Sequence, residues 1–269
     1  MDARPIGMFD SGFGGLTVAR ATIDLLPGED LVYLGDTGRY PYGSRSLDEV
    51  RAFALEIGQH LVDRFDVKVL VVACNTATAA AVDDLRRQLD LPVVGVIDAG
   101  VRALLLASAQ GRVGVIGTVG TIESGTYQRV LAAQAPTAAV ICSACPGLVE
   151  FVERGVVDGP EVTVLAARLL APVMEAKVDA LLLGCTHYPY LARVISDVVG
   201  RDVVLVSSAD ETAFALADLL DRLDLRNHGS HGAGRQRFIS SGDIRSFTAV
   251  GSRLLGPELV DAERWFPTG

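Results

Sequence analysis

LVVACNTATAA (70–80) is a run of apolar residues closed by a cysteine and followed at once by an amide and a hydroxyl side chain. A continuous apolar run, without polar alternation, describes a strand buried on both faces, and such strands belong to parallel sheets covered by helices. A second stretch, LLLGCTHYPYL (181–191), repeats the order: apolar strand, small residue, cysteine, polar pair, then helix. The likeness extends backwards, since MFDSGFGG (8–15) precedes the first cysteine strand by about as much chain as IGTVGT (116–121) precedes the second. Each is a strand ending in a small, polar, Gly-rich turn.

Outward from these stretches, short β-branched runs alternate with longer amphipathic segments. Strands are expected at 6–9, 31–34, 67–73, 93–97, 112–117, 138–142, 179–184, 202–206 and 237–241, and helical spacing marks 46–65 and 161–176. The class is α/β. The internal repeat makes it two similar domains, each a mainly parallel sheet flanked by helices, with the active site expected in the cleft between them. The first domain is expected to be discontinuous, 1–97 plus 208–269, and the second to span 98–207. The Gly-rich segment 226–236 reads as a loop in the returning part. In sheets of this kind ligands lie beyond the carboxyl ends of the strands, so both cysteines fall where chemistry is sought.

Composition narrows the functional classes. A length of 269 residues suggests one large or two ordinary domains at about 150 residues each. Lys and Arg number 24 against 33 Asp and Glu, a formal charge of −9, which argues against a surface built to track phosphate backbones. Nucleic acid is therefore not expected as a primary partner. The beginning MDARPIGMFD has neither the basic nor the apolar region of a secretory signal, and no apolar run approaches the ~20 residues that span a bilayer. No membrane partner and a cytoplasmic location are expected. Four cysteines are too few for a disulfide scaffold in a chain of this size.

A buried cysteine is commonly a small hydrophobe. Cys74 and Cys185 differ in being a matched pair, each expected just before a helix start, where free N–H groups and the helix dipole favour thiolate. Asn75 and Thr76, like Thr186 and His187, bring donors and acceptors that an inert thiol does not need. His187 can also exchange a proton with Cys185. Two acid/base groups on opposite faces of one carbon suit the inversion of a stereocentre, one starting as thiolate and the other as thiol.

DSGFGGLTV (10–18), GDTGRYPYGSRS (35–46), ACNTA (73–77), GTVGTIESG (117–125) and GCTHYPYL (184–191) together closely resemble the cofactor-independent glutamate racemases. The resemblance covers nearly the whole chain. It implies interconversion of L- and D-glutamate, supplying D-glutamate for peptidoglycan, with no cofactor, no metal and a homodimeric assembly. It also implies that Cys74 and Cys185 are the proton donor/acceptors for the D- and L-enantiomer, assisted by Asp10 and His187 respectively. Asp10, Ser11, Tyr42, Gly43, Asn75, Thr76, Thr186 and His187 match substrate-binding positions, and Thr118 and Thr121 can add donors. The family's acidic residue corresponds to Glu153, with Glu150 one turn away as the alternative. Glutamate brings two carboxylates and an ammonium, yet only Arg39 and Arg45 stand near these motifs as cations. Without an electron sink, the carbanion must be stabilised largely by neutral dipoles and desolvation.

Other readings are weaker. GFGG after the first strand and Asp36 after the second suggest dinucleotide binding, but the third glycine of the fingerprint falls on Thr17. Cys142 and Cys145 form a CxxC for redox chemistry, although an apolar strand and Pro146 favour two structural thiols. His228 and His231 lack the nearby Cys or carboxylates of a zinc site. A racemase of a related acidic amino acid such as aspartate is the alternative enzyme reading, and a two-domain protein that binds glutamate without turnover has no use for two opposed thiols.

Overall fold

The computed structural model describes residues 2–227 and 232–268. His228 and His231 lie outside the described residues. In chain order the strands are β1 (Ile6–Asp10), β2 (Leu31–Gly35), β3 (Val69–Val72), β4 (Val93–Gly95) and β5 (Arg112–Gly117). They continue as β6 (Ala139–Ala144), β7 (Ala180–Gly184), β8 (Val204–Ser207), β9 (Gln236–Ser240) and β10 (Glu263–Arg264). The helices are α1 (Leu16–Leu25), α2 (Leu47–Phe65), α3 (Asn75–Gln88), α4 (Val96–Ala107), α5 (Val119–Glu123) and α6 (Thr126–Gln134). After them come α7 (Leu148–Glu153), α8 (Pro160–Glu175), α9 (Ala192–Val199), α10 (Ser208–Arg222) and α11 (Ile244–Leu254).

The chain divides into two compact units, one of Met1–Val96 with Ala209–Gly269 and the other of Ile97–Ser208. The first holds a sheet of order β10-β9-β2-β1-β3-β4 and the second a sheet of order β6-β5-β7-β8. Every pairing in both is parallel. The run β2-β1-β3-β4 matches β6-β5-β7-β8 place for place, so the repeat in the sequence is a repeat of topology. In each unit the Gly-rich turn and the cysteine follow adjacent strands, β1 beside β3 and β5 beside β7.

Alternate residues of a strand face opposite sides of the sheet. Met8, Tyr33, Val69 and Val71 enter one apolar cluster with α1, α10 and α11, while Phe9, Leu34, Leu70 and Val72 enter another with α2 and α3. Burial on both faces explains why β1 to β3 read as unbroken apolar runs. The edges depart from that expectation: Ala139 and Val140 of β6 are exposed, and Val204 of β8 is 49% exposed. An edge strand has one neighbour, and its apolar letters do not report full burial.

Two boundaries also move. The expected strand 93–97 stops at Gly95, where a Cβ would come 2.6 Å from Thr78 Cγ2, and Val96 already opens α4. The strand expected at 138–142 continues to Ala144, which puts Cys142 inside β6 opposite Val115. The pairing of polar β10 with β9 carried no sequence signal.

Local chemistry sets the helix ends. Ser46 and Glu49 close a capping box on α2, Ser46 Oγ accepting from Glu49 N–H and Glu49 accepting from Ser46 N–H. The returning segment is fastened by Lys68, 1% exposed, whose ammonium donates to Glu29 Oε2 (2.5 Å), Asp2 O (2.8 Å) and Leu225 O (2.8 Å). All three ammonium protons are thereby used. Among the described residues no helix is long and apolar enough to cross a membrane.

Candidate active site

In the first unit the candidate residues gather at the carboxyl ends of β1 to β3. Asp10 ends β1 with 0% exposure, and its Oδ2 accepts from Gly12 N–H at 2.9 Å. The turn doubles back because Gly15 carries no side chain: a Cβ there would meet Asp10 Cβ at 2.5 Å. Tyr33, fully buried, donates from its hydroxyl to Gly12 O at 3.1 Å and so pins the far side of the same turn. Ser11 is buried within it.

Cys74 occupies the N-cap of α3, and its sulfur accepts from Ala77 N–H at 3.4 Å. The thiol takes a place usually held by a hydroxyl or carboxylate. The positive end of a 14-residue helix therefore lies at the sulfur, together with Asn75 and Thr76 of the first turn. All three are buried, at 5%, 3% and 2% exposure.

Tyr42 and Gly43, expected at substrate-binding positions, lie in the 3-10 turn Tyr42–Ser44. The Tyr42 ring is 1% exposed and its hydroxyl donates to Asp36 Oδ2, so this residue and Gly43 can offer a ligand their main chain. Burial and the adjacent Asp36 carboxylate push the Tyr42 phenol well above its ordinary pKa. Asp36, also at 0% exposure, accepts from Ser241 Oγ on its other oxygen at 2.5 Å and from Arg39 Nε at 2.8 Å. A carboxylate so occupied cannot also hold a ribose, which removes the dinucleotide reading. Arg39 is turned to Asp36 and Glu56, and Arg45 to Arg39 O and Glu49.

In the second unit Gly117 and Gly184 pair at the ends of β5 and β7. A Cβ on Gly184 would stand 2.7 Å from Ile116 O and 3.1 Å from the Tyr127 ring. Thr118 caps the short α5, and its hydroxyl lies 2.9 Å from that of Thr121. Cys185 follows β7, but the helix expected directly behind it is absent. Pro189 supplies no N–H, and a 3-10 turn, Tyr188–Leu191, precedes α9. The expectation of a helix dipole at both thiols is thus corrected: Cys74 has one and Cys185 does not.

Side chains stand in its place. His187 Nδ1 lies 3.9 Å from Cys185 Sγ, and His187 Nε2 lies 3.4 Å from Glu153 Oε1. Tyr188 donates to Cys145 O at 3.0 Å, tying this turn to the loop that leads into α7, whose last residue is Glu153. Glu150 is exposed on that helix, away from this row. The row carboxylate, imidazole, thiol has the form of an acid/base group with an orienting partner.

Sequence reasoning missed Tyr33 and the Asp36–Arg39 pair. Their only signal was a buried-strand tyrosine and an acid beside a strand end. Burial pushes the Cys142 thiol up to about 11 and the Cys145 thiol up to about 12, which disfavours the thiolate that redox chemistry at this CxxC would need. Among the described residues no group of three or more His, Cys, Asp or Glu is placed to hold a metal ion.

Comparison with known proteins adds to this geometry. The model of the Asp/Glu/Hydantoin racemase family matches residues 16–216. The chain is 50% identical over 266 residues to a glutamate racemase of Mycobacterium ulcerans, covering 98% of this chain and 97% of that one. It superposes on a glutamate racemase isoform of Bacillus anthracis with a TM-score of 0.92 at 40% identity, covering 99% and 98% of the two chains. A Francisella tularensis glutamate racemase solved with D-glutamate gives a TM-score of 0.89 at 33% identity, over 100% and 98%.

Proposed function

The chain belongs to the Asp/Glu/Hydantoin racemase family, and from that premise we propose that it interconverts L- and D-glutamate by proton transfer at Cα. The observation that carries this is the pair of buried cysteines at the ends of equivalent strands, Cys74 after β3 and Cys185 after β7. The 50% identity to a glutamate racemase along almost the full length supports glutamate as the substrate.

In the D-to-L direction Cys74 acts as thiolate, with the N-terminus of α3 favouring its charge and Asp10 assisting. Cys185 then returns a proton to the other face of Cα, assisted by His187, with Glu153 orienting the imidazole. The reverse direction exchanges the roles, because the enzyme finishes each turnover with the opposite thiol deprotonated. Ser11, Asn75, Thr76, Thr118, Thr121 and Thr186 supply neutral donors to the carboxylates, with the main chain of Tyr42 and Gly43. Neutral donors bind the two carboxylates without a fixed counter-charge, which leaves the developing carbanion to oriented dipoles.

The two units serve as the functional domains of this reading. The product supplies peptidoglycan synthesis, the enzyme works in the cytoplasm, and it assembles as a homodimer, which light scattering on the purified protein tests. In deuterated water, D-glutamate should gain deuterium at Cα while its optical activity decays. Binding without either change would sink the racemase. Cys74→Ser and Cys185→Ser should each lower turnover by about 10²-fold or more, whereas Cys142→Ser should leave it near the wild-type rate.

A further inference from the structure

The Tyr42–Gly43 turn is held by a chain of contacts that ends near the far end of the sequence. Tyr42 donates to Asp36, and the same carboxylate oxygen receives Arg39 Nε. Arg39, 9% exposed, reaches outward with Nη1 to Glu56 Oε2 at 2.5 Å. Glu56 Oε1 in turn accepts from Thr268 N–H at 2.6 Å and from the Thr268 hydroxyl at 2.7 Å. The Arg39 guanidinium lies 4.2 Å from the Phe53 ring centre and 5.4 Å from that of Trp265. Phe53 packs against the Tyr42 ring at 5.7 Å, and Trp265 N–H donates to Ser240 O at 2.9 Å. Residues 265–268 therefore cover the guanidinium that holds the carboxylate that holds Tyr42.

Stability alone is a poor reason for such a construction. A largely buried ion pair contributes little net stability compared with apolar packing, but it imposes geometry. Arginine imposes more than lysine, because its planar fork can bind two carboxylates while its face stacks on aromatic rings. Arg39 does all of this at once, and its own carbonyl accepts from Arg45 Nε at 2.7 Å on the other side of the turn.

We propose that Arg39, Glu56 and the segment Trp265–Thr268 form a latch that holds the Tyr42–Gly43 turn in its substrate-binding geometry. They are positioning residues, acting through Asp36 and Tyr42. The inference rests on that turn binding glutamate, as read above.

Trp265→Ala and Glu56→Gln release the latch, and Trp265→Phe keeps a ring over Arg39. If release leaves the turn competent for about a tenth of the time, apparent affinity falls by the same factor, so KM rises about tenfold while kcat stays within about twofold. Amide hydrogen exchange across residues 36–46 should quicken in Trp265→Ala and return towards wild type in Trp265→Phe. A merely structural role would move neither KM alone nor exchange confined to that stretch. An unchanged KM, or unchanged exchange at 36–46, in a folded Trp265→Ala protein overturns the latch. Should the wild-type protein show no racemisation, the catalytic reading fails by itself, and the exchange comparison still decides the latch.

Discussion

Gly35→Ala tests how closely the Asp10 turn must be held. Gly35 ends β2 directly opposite Asp10, and a Cβ on it would lie 2.5 Å from Gly12 O and 2.7 Å from Phe247 Cε2. Phe247 cannot give way easily, since it is fully buried and stacked on Phe13 (5.6 Å) and Tyr33 (6.5 Å). The Gly12 carbonyl must therefore move, and reaching an ordinary carbon–oxygen separation of about 3.3 Å takes a shift of about 0.8 Å. Gly12 N–H holds the Asp10 carboxylate, so the displacement passes straight to that side chain and to Ser11 between them. A misplacement of about 1 Å costs on the order of 10²-fold in rate, so kcat/KM should fall by about 50-fold. Overpacking should also cost about 1–3 kcal/mol of stability. Gly7→Ala is the control: its Cβ would meet Val67 Cγ1 at 2.9 Å, at the opposite end of the same sheet region. It should lose stability to a similar degree and keep its rate. Circular dichroism follows both the racemisation and the urea transition. Because the enantiomers have equal free energy, kcat/KM must fall equally in the two directions, which checks the assay internally. Equal rate losses in the two alanine variants, or wild-type turnover in Gly35→Ala, would refute the reasoning.

Other groups give independent tests. With thiols raised to about 11 and about 12, Cys142 and Cys145 should label slowly with iodoacetamide in the native protein at neutral pH, buried Cys145 more slowly than half-buried Cys142, and quickly after unfolding; mass spectrometry reads this, and fast native labelling at either would contradict the raised thiols. Burial raises the Glu56 carboxyl, but hydrogen bonds from Thr268 and Arg39 outweigh it and hold it below its usual value. Its stabilising effect is complete above the ordinary glutamate value of about 4.3 and is lost as pH falls through the lower folded value, so acid melts should show a component that Glu56→Gln lacks. Lys68→Met should cost about 3–5 kcal/mol in urea unfolding, because Glu29 would remain buried without its cation; a loss under about 1 kcal/mol would mean that water replaces the ammonium.

Much of the fold was legible because burial leaves a regular trace. Where a strand is covered on both faces its residues are apolar, as in β3 and in β1 up to Phe9, and the letters then report the sheet directly. Where only one neighbour exists, as at β6 and β8, the same letters overstate burial. β10 is two charged residues, Glu263 and Arg264, and joins the sheet only because β9 is already there to pair with. The equivalent placement of Cys74 and Cys185 was visible because a repeated topology repeats its spacing. The difference between them was not, since Thr-His and Asn-Thr read alike until Pro189 is seen to force a 3-10 turn.

By itself, the sequence determined two parallel α/β sheets, a thiol at the end of one strand in each, and polar side chains around both, since these follow from local periodicity and from which residue types sit at strand ends. The tertiary structure decided which groups remain available. It turned the Tyr42 phenol inward, committed Asp36 to Ser241 and Arg39, set Glu153 rather than Glu150 beside His187, and laid Trp265 over Arg39. Each of these depends on a partner that neither strand nor helix periodicity brings near. Hydrogen bonds and ion pairs are short-ranged and directional, so their partners are chosen only once the packed chain has placed distant residues within reach.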